Sequence, residues 1–131
     1  MKITARTEYG IRAMYALAKA SGSGPLSMRS IASDQQIPEN FLEQMLSQLR
    51  KAGLVTATRG PAGGDERARE PARISFSDIV VALEGPVALC DCIGTEGSCD
   101  RLHSCPVHPV WAKIAAGLND LLEKSTLADM L

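Results

Sequence analysis

"PENFLEQMLSQLRKAG" (residues 38–53), continuing into "LVTATRGPAGG" (residues 54–64), decides the fold. In the first stretch Phe41, Leu42, Met45, Leu46 and Leu49 form one stripe at helical spacing. Asn40, Glu43, Gln44, Ser47 and Arg50 lie mostly off it. Pro38 suits the first turn of a helix, and Gly53 suits its end. The second stretch predicts a strand over residues 54–58, then a turn rich in Gly and Pro over residues 59–64. Arg73, Ile74, Ser75 and Phe76 are expected to form the returning strand.

Upstream, Thr4 is a plausible N-cap, and Ile11, Met14, Tyr15, Leu17 and Ala18 place a helix over residues 5–21. Ser21 to Pro25 is a loop. Ser27 caps a short helix containing Ile31 and Ala32, which Gln36-Ile37-Pro38 breaks. Two helices joined by a short turn, the second amphipathic with a polar outer face, make a helix-turn-helix. A hairpin directly after it is a wing.

Downstream, Ser77 is expected to start a helix through Ile79, Val80 and Leu83, ended by Gly85-Pro86. A cysteine-bearing loop follows. Pro109 then opens a long helix with Trp111, Ile114, Ala115, Leu118, Leu121 and Leu122 on one side. So small a body leaves part of that stripe to meet a second copy of the chain. The expected class is mainly α: a winged helix-turn-helix with a two-stranded wing and a long C-terminal dimerisation helix. Within a single compact domain, residues 1–85 would be the DNA-binding region, 86–108 a cluster-binding loop, and 109–131 the dimerisation helix and tail.

Composition agrees with this. A chain of 131 residues is one domain with one modest core. Its 45% hydrophobic and 4% aromatic content suits helices packed through aliphatic side chains. Residues 1–60 carry eight Lys/Arg against four Asp/Glu, whereas residues 74–131 carry three against eight. A basic front and an acidic back fit a polyanion-binding head with a separate regulatory or pairing half. No apolar run approaches the ~20 residues that span a bilayer, so no membrane partner is expected. Arg6, Glu8 and Arg12 interrupt the opening residues as a secretory signal would not. The expected location is the cytoplasm, where thiols stay reduced.

In a winged helix-turn-helix the second helix enters the major groove of double-stranded DNA, here an operator. Asn40, Glu43 and Gln44, polar and near its N-terminal end, are the candidates for base edges. Gln bonds adenine through two atoms, and Glu accepts from the cytosine amino group. A carboxylate also repels phosphate, which makes Glu43 a selectivity element more than an affinity element. Arg59 at the wing tip is placed for the minor groove or phosphates. Arg29, Arg50 and Lys51 would add sequence-independent phosphate contacts.

All four cysteines and both histidines lie in residues 90–108, spaced C-x-C, then x6, x5 and x2 to His108. Structural zinc modules usually pair ligands as C-x2–4-C, and no such pair exists. Iron–sulfur clusters take soft thiolates from irregular loops. Cys92, Cys99 and Cys105 are therefore candidate metal ligands, with His108 a candidate fourth and Cys90 a spare or an alternative. Zinc, or a metal-free thiol–disulfide switch, remains open.

The M-K-I-T start, FLEQMLSQLRKAGLV, RGPAGG, ISFSDIVVALEG, and Cys92, Cys99, Cys105 and His108 with Trp111 resemble the IscR-like family of winged-helix regulators (the Rrf-two superfamily) across nearly the whole chain. The resemblance implies a homodimer whose long C-terminal helices cross. It also implies a [2Fe–2S] or [4Fe–4S] cluster held by three loop cysteines, with a fourth ligand that varies among members. In some members that ligand is an acidic residue near the start of helix 1 of the partner, so Glu8 of the partner subunit competes with His108. Members usually place an aromatic and a Leu after the paired glycines. This chain has Asp65 to Glu70 instead, and its wing is expected to be mobile until it meets DNA.

The function expected is transcriptional regulation, with operator affinity controlled by the cluster. The alternatives are a winged-helix regulator using zinc or a thiol–disulfide switch, and a small iron–sulfur electron carrier. A carrier has no need of a reading helix and an RGPAGG wing. An enzyme is not expected, because few residues remain to build a substrate pocket.

Overall fold

The computed structural model describes residues 3–20, 22–89 and 104–131. Helix α1 spans Ala5–Lys19, with the Thr4 hydroxyl accepting from the Thr7 amide. Helix α2 (Met28–Gln35) is capped in the same way by Ser27, and its end turns through Gln36 in the left-handed region. Helix α3 (Glu39–Lys51) follows Pro38. Strands β1 (Val55–Thr58) and β2 (Gly64–Arg67) pair antiparallel with Val55 opposite Arg67 and Thr58 opposite Gly64. Helix α4 covers Phe76–Glu84 and α5 covers His108–Lys124. A short 3-10 turn, Leu127–Met130, completes the chain.

The core forms where α1 meets α2, α3 and α4. Met14 and Leu17 from α1, Ile31 from α2, Leu42, Met45, Leu46 and Leu49 from α3, and Ile79 and Leu83 from α4 are buried together. Gly10 lets α1 and α4 approach closely, since a Cβ there would collide with Leu83. Phe41 departs from its expected place on the buried stripe and is 51% exposed. At 100° per residue it sits about 40° outside the arc of Leu42, Met45, Leu46 and Leu49, on the Met45 side.

The returning wing strand is Gly64–Arg67, not residues 73–76. A five-residue link over 59–63 is an ordinary hairpin loop, and Gly63 closes it where a Cβ would strike the Thr58 carbonyl. Ile74 and Ser75 do pair antiparallel, but with the tail: the Leu127 amide donates to the Ile74 carbonyl, and Ser75 bridges Thr126. Helix α4 starts at Phe76 rather than Ser77. The Ser75 hydroxyl accepts from the Asp78 amide while the Asp78 carboxylate accepts from the Ser75 amide, a reciprocal cap. The tail repeats this device at Thr126 and Asp129.

Helix α5 packs on α4 yet buries only Ala115 among its residues. Val110, Trp111, Ile114 and Leu121 remain exposed along it. Among the described residues no helix is long and apolar enough to cross a membrane.

Leu127 is fully buried in the main core. Leu127→Ala is expected to cost about 2–5 kcal/mol, as a core truncation that leaves a cavity. Urea unfolding followed by circular dichroism measures this; a loss below about 1 kcal/mol would show that the tail does not hold the body together.

Candidate nucleic-acid interface and metal-binding loop

Burial of one arc of α3 dictates what its other arc presents. Asn40, Glu43, Gln44 and Lys51 are exposed. Asn40, Gln44 and Lys51 lie nearly opposite the buried arc, one turn or two apart. Glu43 stands on one flank and Phe41 on the other. Arg59 is exposed at the start of the wing turn. Arg29 is exposed on α2, and its guanidinium lies 3.7 Å from the Glu39 carboxylate in a surface pair. Such a pair is weak and leaves the cation able to turn to another anion.

Arg50, a candidate for phosphate contact, is paired with an acidic residue of the wing. Its Nε donates to one Asp65 oxygen at 2.8 Å and its Nη2 to the other at 3.2 Å. The hydrogen bonds to Asp65 raise the Arg50 pKa further above its usual value; burial opposes them, and the charges of Asp65 and then Glu43 add to the rise. The acidic residues after Gly64 were expected to leave the wing unanchored. Instead Asp65 is 4% exposed and ties the strand down through polar contacts.

Three contributors escape a reading of the sequence. Arg6 in α1 donates to the Gln48 side chain at 3.3 Å, setting a cation beside the middle of α3. Tyr9 tilts against Phe41 with ring centroids 6.5 Å apart, and Arg12 lies over the Tyr9 ring. The Arg12 guanidinium also donates to the Gln35 carbonyl, joining α1 to α2. Helical periodicity assigns these residues to α1 but carries no sign of which neighbour they face.

Cys90, Cys92 and Cys99 lie outside the described residues. Cys105 is half-buried and free. The His108 amide donates to the Cys105 carbonyl at 3.4 Å, so both side chains belong to one turn at the head of α5. His108 Nδ1 is buried and has no hydrogen-bond partner among the described residues. A buried imidazole nitrogen left without a partner is costly, and a metal ion would satisfy it. The remaining candidate, Glu8, is exposed in the first turn of α1.

A helix-turn-helix whose second helix presents a polar face, followed at once by an antiparallel wing, defines a winged helix-turn-helix DNA-binding protein. Comparison with known proteins narrows this further. The chain belongs to the Rrf2 family, described as "Iron-dependent Transcriptional regulator", whose model matches residues 3–131. It is 37% identical to the HTH-type transcriptional regulator CymR of Bacillus subtilis, over 99% of this chain and 89% of that one. It is 33% identical to the HTH-type transcriptional regulator IscR of Vibrio vulnificus, over 100% of this chain and 77% of that one. The solved structure of T. potens IscR superposes with a TM-score of 0.80 at 38% identity, over 99% of this chain and 85% of that one. The chain is thus a helix-turn-helix transcriptional regulator of a non-enzymatic family.

Arg59→Ala is expected to weaken binding to nearly all duplexes on the order of tenfold, as loss of a groove or phosphate cation should. Glu43→Ala should instead compress the affinity differences between duplexes. Gel-shift titration of both variants over a panel of operator substitutions measures the two effects. An unchanged ranking in Glu43→Ala removes Glu43 from base selection.

Proposed function

We propose that the chain is a homodimeric regulator that binds a pseudo-palindromic operator with affinity set by an iron–sulfur cluster in the 90–108 loop. The observation that carries the reading is the buried, unpartnered Nδ1 of His108 one turn beyond Cys105. Soft sulfur donors with an imidazole suit iron–sulfur chemistry better than the hard cations. Cys92, Cys99, Cys105 and His108 would hold the cluster, with Glu8 of the partner subunit the rival fourth ligand. A bound cluster would supply a centre that electron transfer, nitric oxide or loss of iron can alter.

In this reading Asn40, Glu43 and Gln44 meet base edges, while Arg59, Arg29 and Lys51 meet the backbone or minor groove. The exposed stripe of Val110, Trp111, Ile114 and Leu121 is the face that pairs with a second copy. Cys105 and His108 open that same helix. A change in what they hold therefore acts directly on the element that spaces two reading heads. Coupling of about 1–3 kcal/mol is enough for such a switch. The proposed location is the cytoplasm.

A second reading has its own support. The half-buried free thiol of Cys105 favours a regulator switched by thiol chemistry without a cluster.

Protein purified without oxygen should be coloured, with visible absorbance and near-stoichiometric iron and sulfide. Cys105→Ser should lose both, and operator affinity should differ about 5- to 150-fold between the loaded and stripped forms. Colourless protein whose DNA binding responds reversibly to thiol oxidation establishes the second reading in place of the first.

A further inference from the structure

Asp65 is the one buried acidic residue among the described residues. Three separate attachments meet at it. Its amide donates to the Leu26 carbonyl at 2.8 Å, and the Leu26 amide returns a bond to its carbonyl at 3.0 Å. These bonds tie β2 to the segment entering α2. Its carboxylate accepts both arms of the Arg50 fork, which ties β2 to the last turn of α3. Gly64, just before it, packs so closely on Leu26 that a Cβ would strike the Leu26 carbonyl. The rest of the wing has little apolar surface to hold it: along β1 only Val55 is buried, and along β2 only Asp65.

We propose that Asp65 and Arg50 form a positioning clamp that sets the wing, and Arg59 with it, at a fixed offset from the reading face of α3. Arg50 then makes no phosphate contact. The clamp rests on the reading of α3 and the wing as the parts that meet DNA. Its physical basis is geometric. A bidentate guanidinium–carboxylate pair fixes direction as well as distance, and a buried carboxylate binds its partner with little competition from water. The clamp takes the Nε donor and one Nη2 donor of Arg50, and it holds the direction of the guanidinium toward β2. In this proposal the reading surface has one cation fewer than its sequence suggests, and the wing is aimed by charge along a strand with little apolar surface.

The test uses the full-length chain and duplexes enriched from a random library by the wild-type protein. Affinities are measured across a range of KCl for wild type, Lys51→Ala, Arg50→Ala, Arg50→Lys and Asp65→Asn, each with and without Arg59→Ala. Lys51→Ala should lower the salt slope by about 0.9, as loss of one phosphate contact does. Arg50→Ala should leave the slope unchanged. The penalty of Arg59→Ala should fall from about tenfold in wild type to about threefold or less with Asp65→Asn or Arg50→Lys. A phosphate contact tolerates lysine, whereas a two-armed clamp does not. If Arg50→Ala unfolds, as an unpaired buried carboxylate could cause, Arg50→Lys and Asp65→Asn decide the matter. The clamp is overturned by an Arg50→Ala slope that falls like that of Lys51→Ala. It is equally overturned by an Arg59→Ala penalty that is the same in every background. A wild-type chain that selects duplexes but shows either result keeps its DNA function and loses the clamp. One that selects none loses both.

Discussion

The burial of Leu42, Met45, Leu46 and Leu49 against α1, α2 and α4 is the constraint on which the rest of the molecule depends. Burying four aliphatic side chains fixes the rotation of α3 about its own axis, because turning the helix by one residue would expose most of that surface at about 25 cal/mol per Å². With the rotation fixed, Asn40, Gln44 and Lys51 have one direction in which to point. Glu43 and Phe41 fall on opposite flanks for the same reason. The flank beside Phe41 adjoins α1, where Arg6 and Tyr9 meet it. The other flank adjoins the wing, where Arg50 meets Asp65. A packing requirement thus sorts the helix into an exposed polar line and two bordering sides of different chemistry.

How much of this was legible follows from the range of each signal. Helices α1, α2 and α3 were readable because Thr4, Ser27, Pro38 and Gly53 punctuate strong periodicity, and such signals are local. The tight turn at Gly60 to Gly64 was readable for the same reason. Ile74 and Ser75 carried a true extended signal whose partner was misassigned. Strand propensity says that a segment will pair, not with which segment, and the partner was the tail some fifty residues on. The Ser75–Asp78 cap was also visible in the spacing, but Ser77 offered a competing start two residues later. Phe41 was placed on the core stripe because it is apolar, whereas its exposure is decided by angle alone.

The site divides along the same line. That Asn40, Glu43, Gln44, Arg59 and Lys51 stand exposed follows from periodicity and turn chemistry, and the fold bears out their exposure. Arg50 is different, since it is paired with a carboxylate on another element. Asp65 offers the wing no apolar surface, and strand patterning carries no sign of a distant ionic partner. An acidic residue inside a strand becomes an anchor when a guanidinium reaches it from across the fold. The backbone bonds to Leu26 hold the buried Asp65 in place. Composition shows both residues and is silent on their meeting.

Helix α5 can carry a signal because of where it is held and where it is not. Its C-terminal end is fastened by the Phe76 amide donating to the Ser125 carbonyl, by the Thr126 bridge and by Leu127 in the core. Its N-terminal end carries His108, with Cys105 in the turn before it. Between them only Ala115 is buried along a helix of 17 residues, about 25 Å long. In the proposed regulator the metal ligands sit at the N-terminal end, and the exposed stripe along the helix is where the second copy lies. In that proposal, tail docking brings Leu127 against the same core that orients α3, so the pairing helix and the reading helix share one packed body.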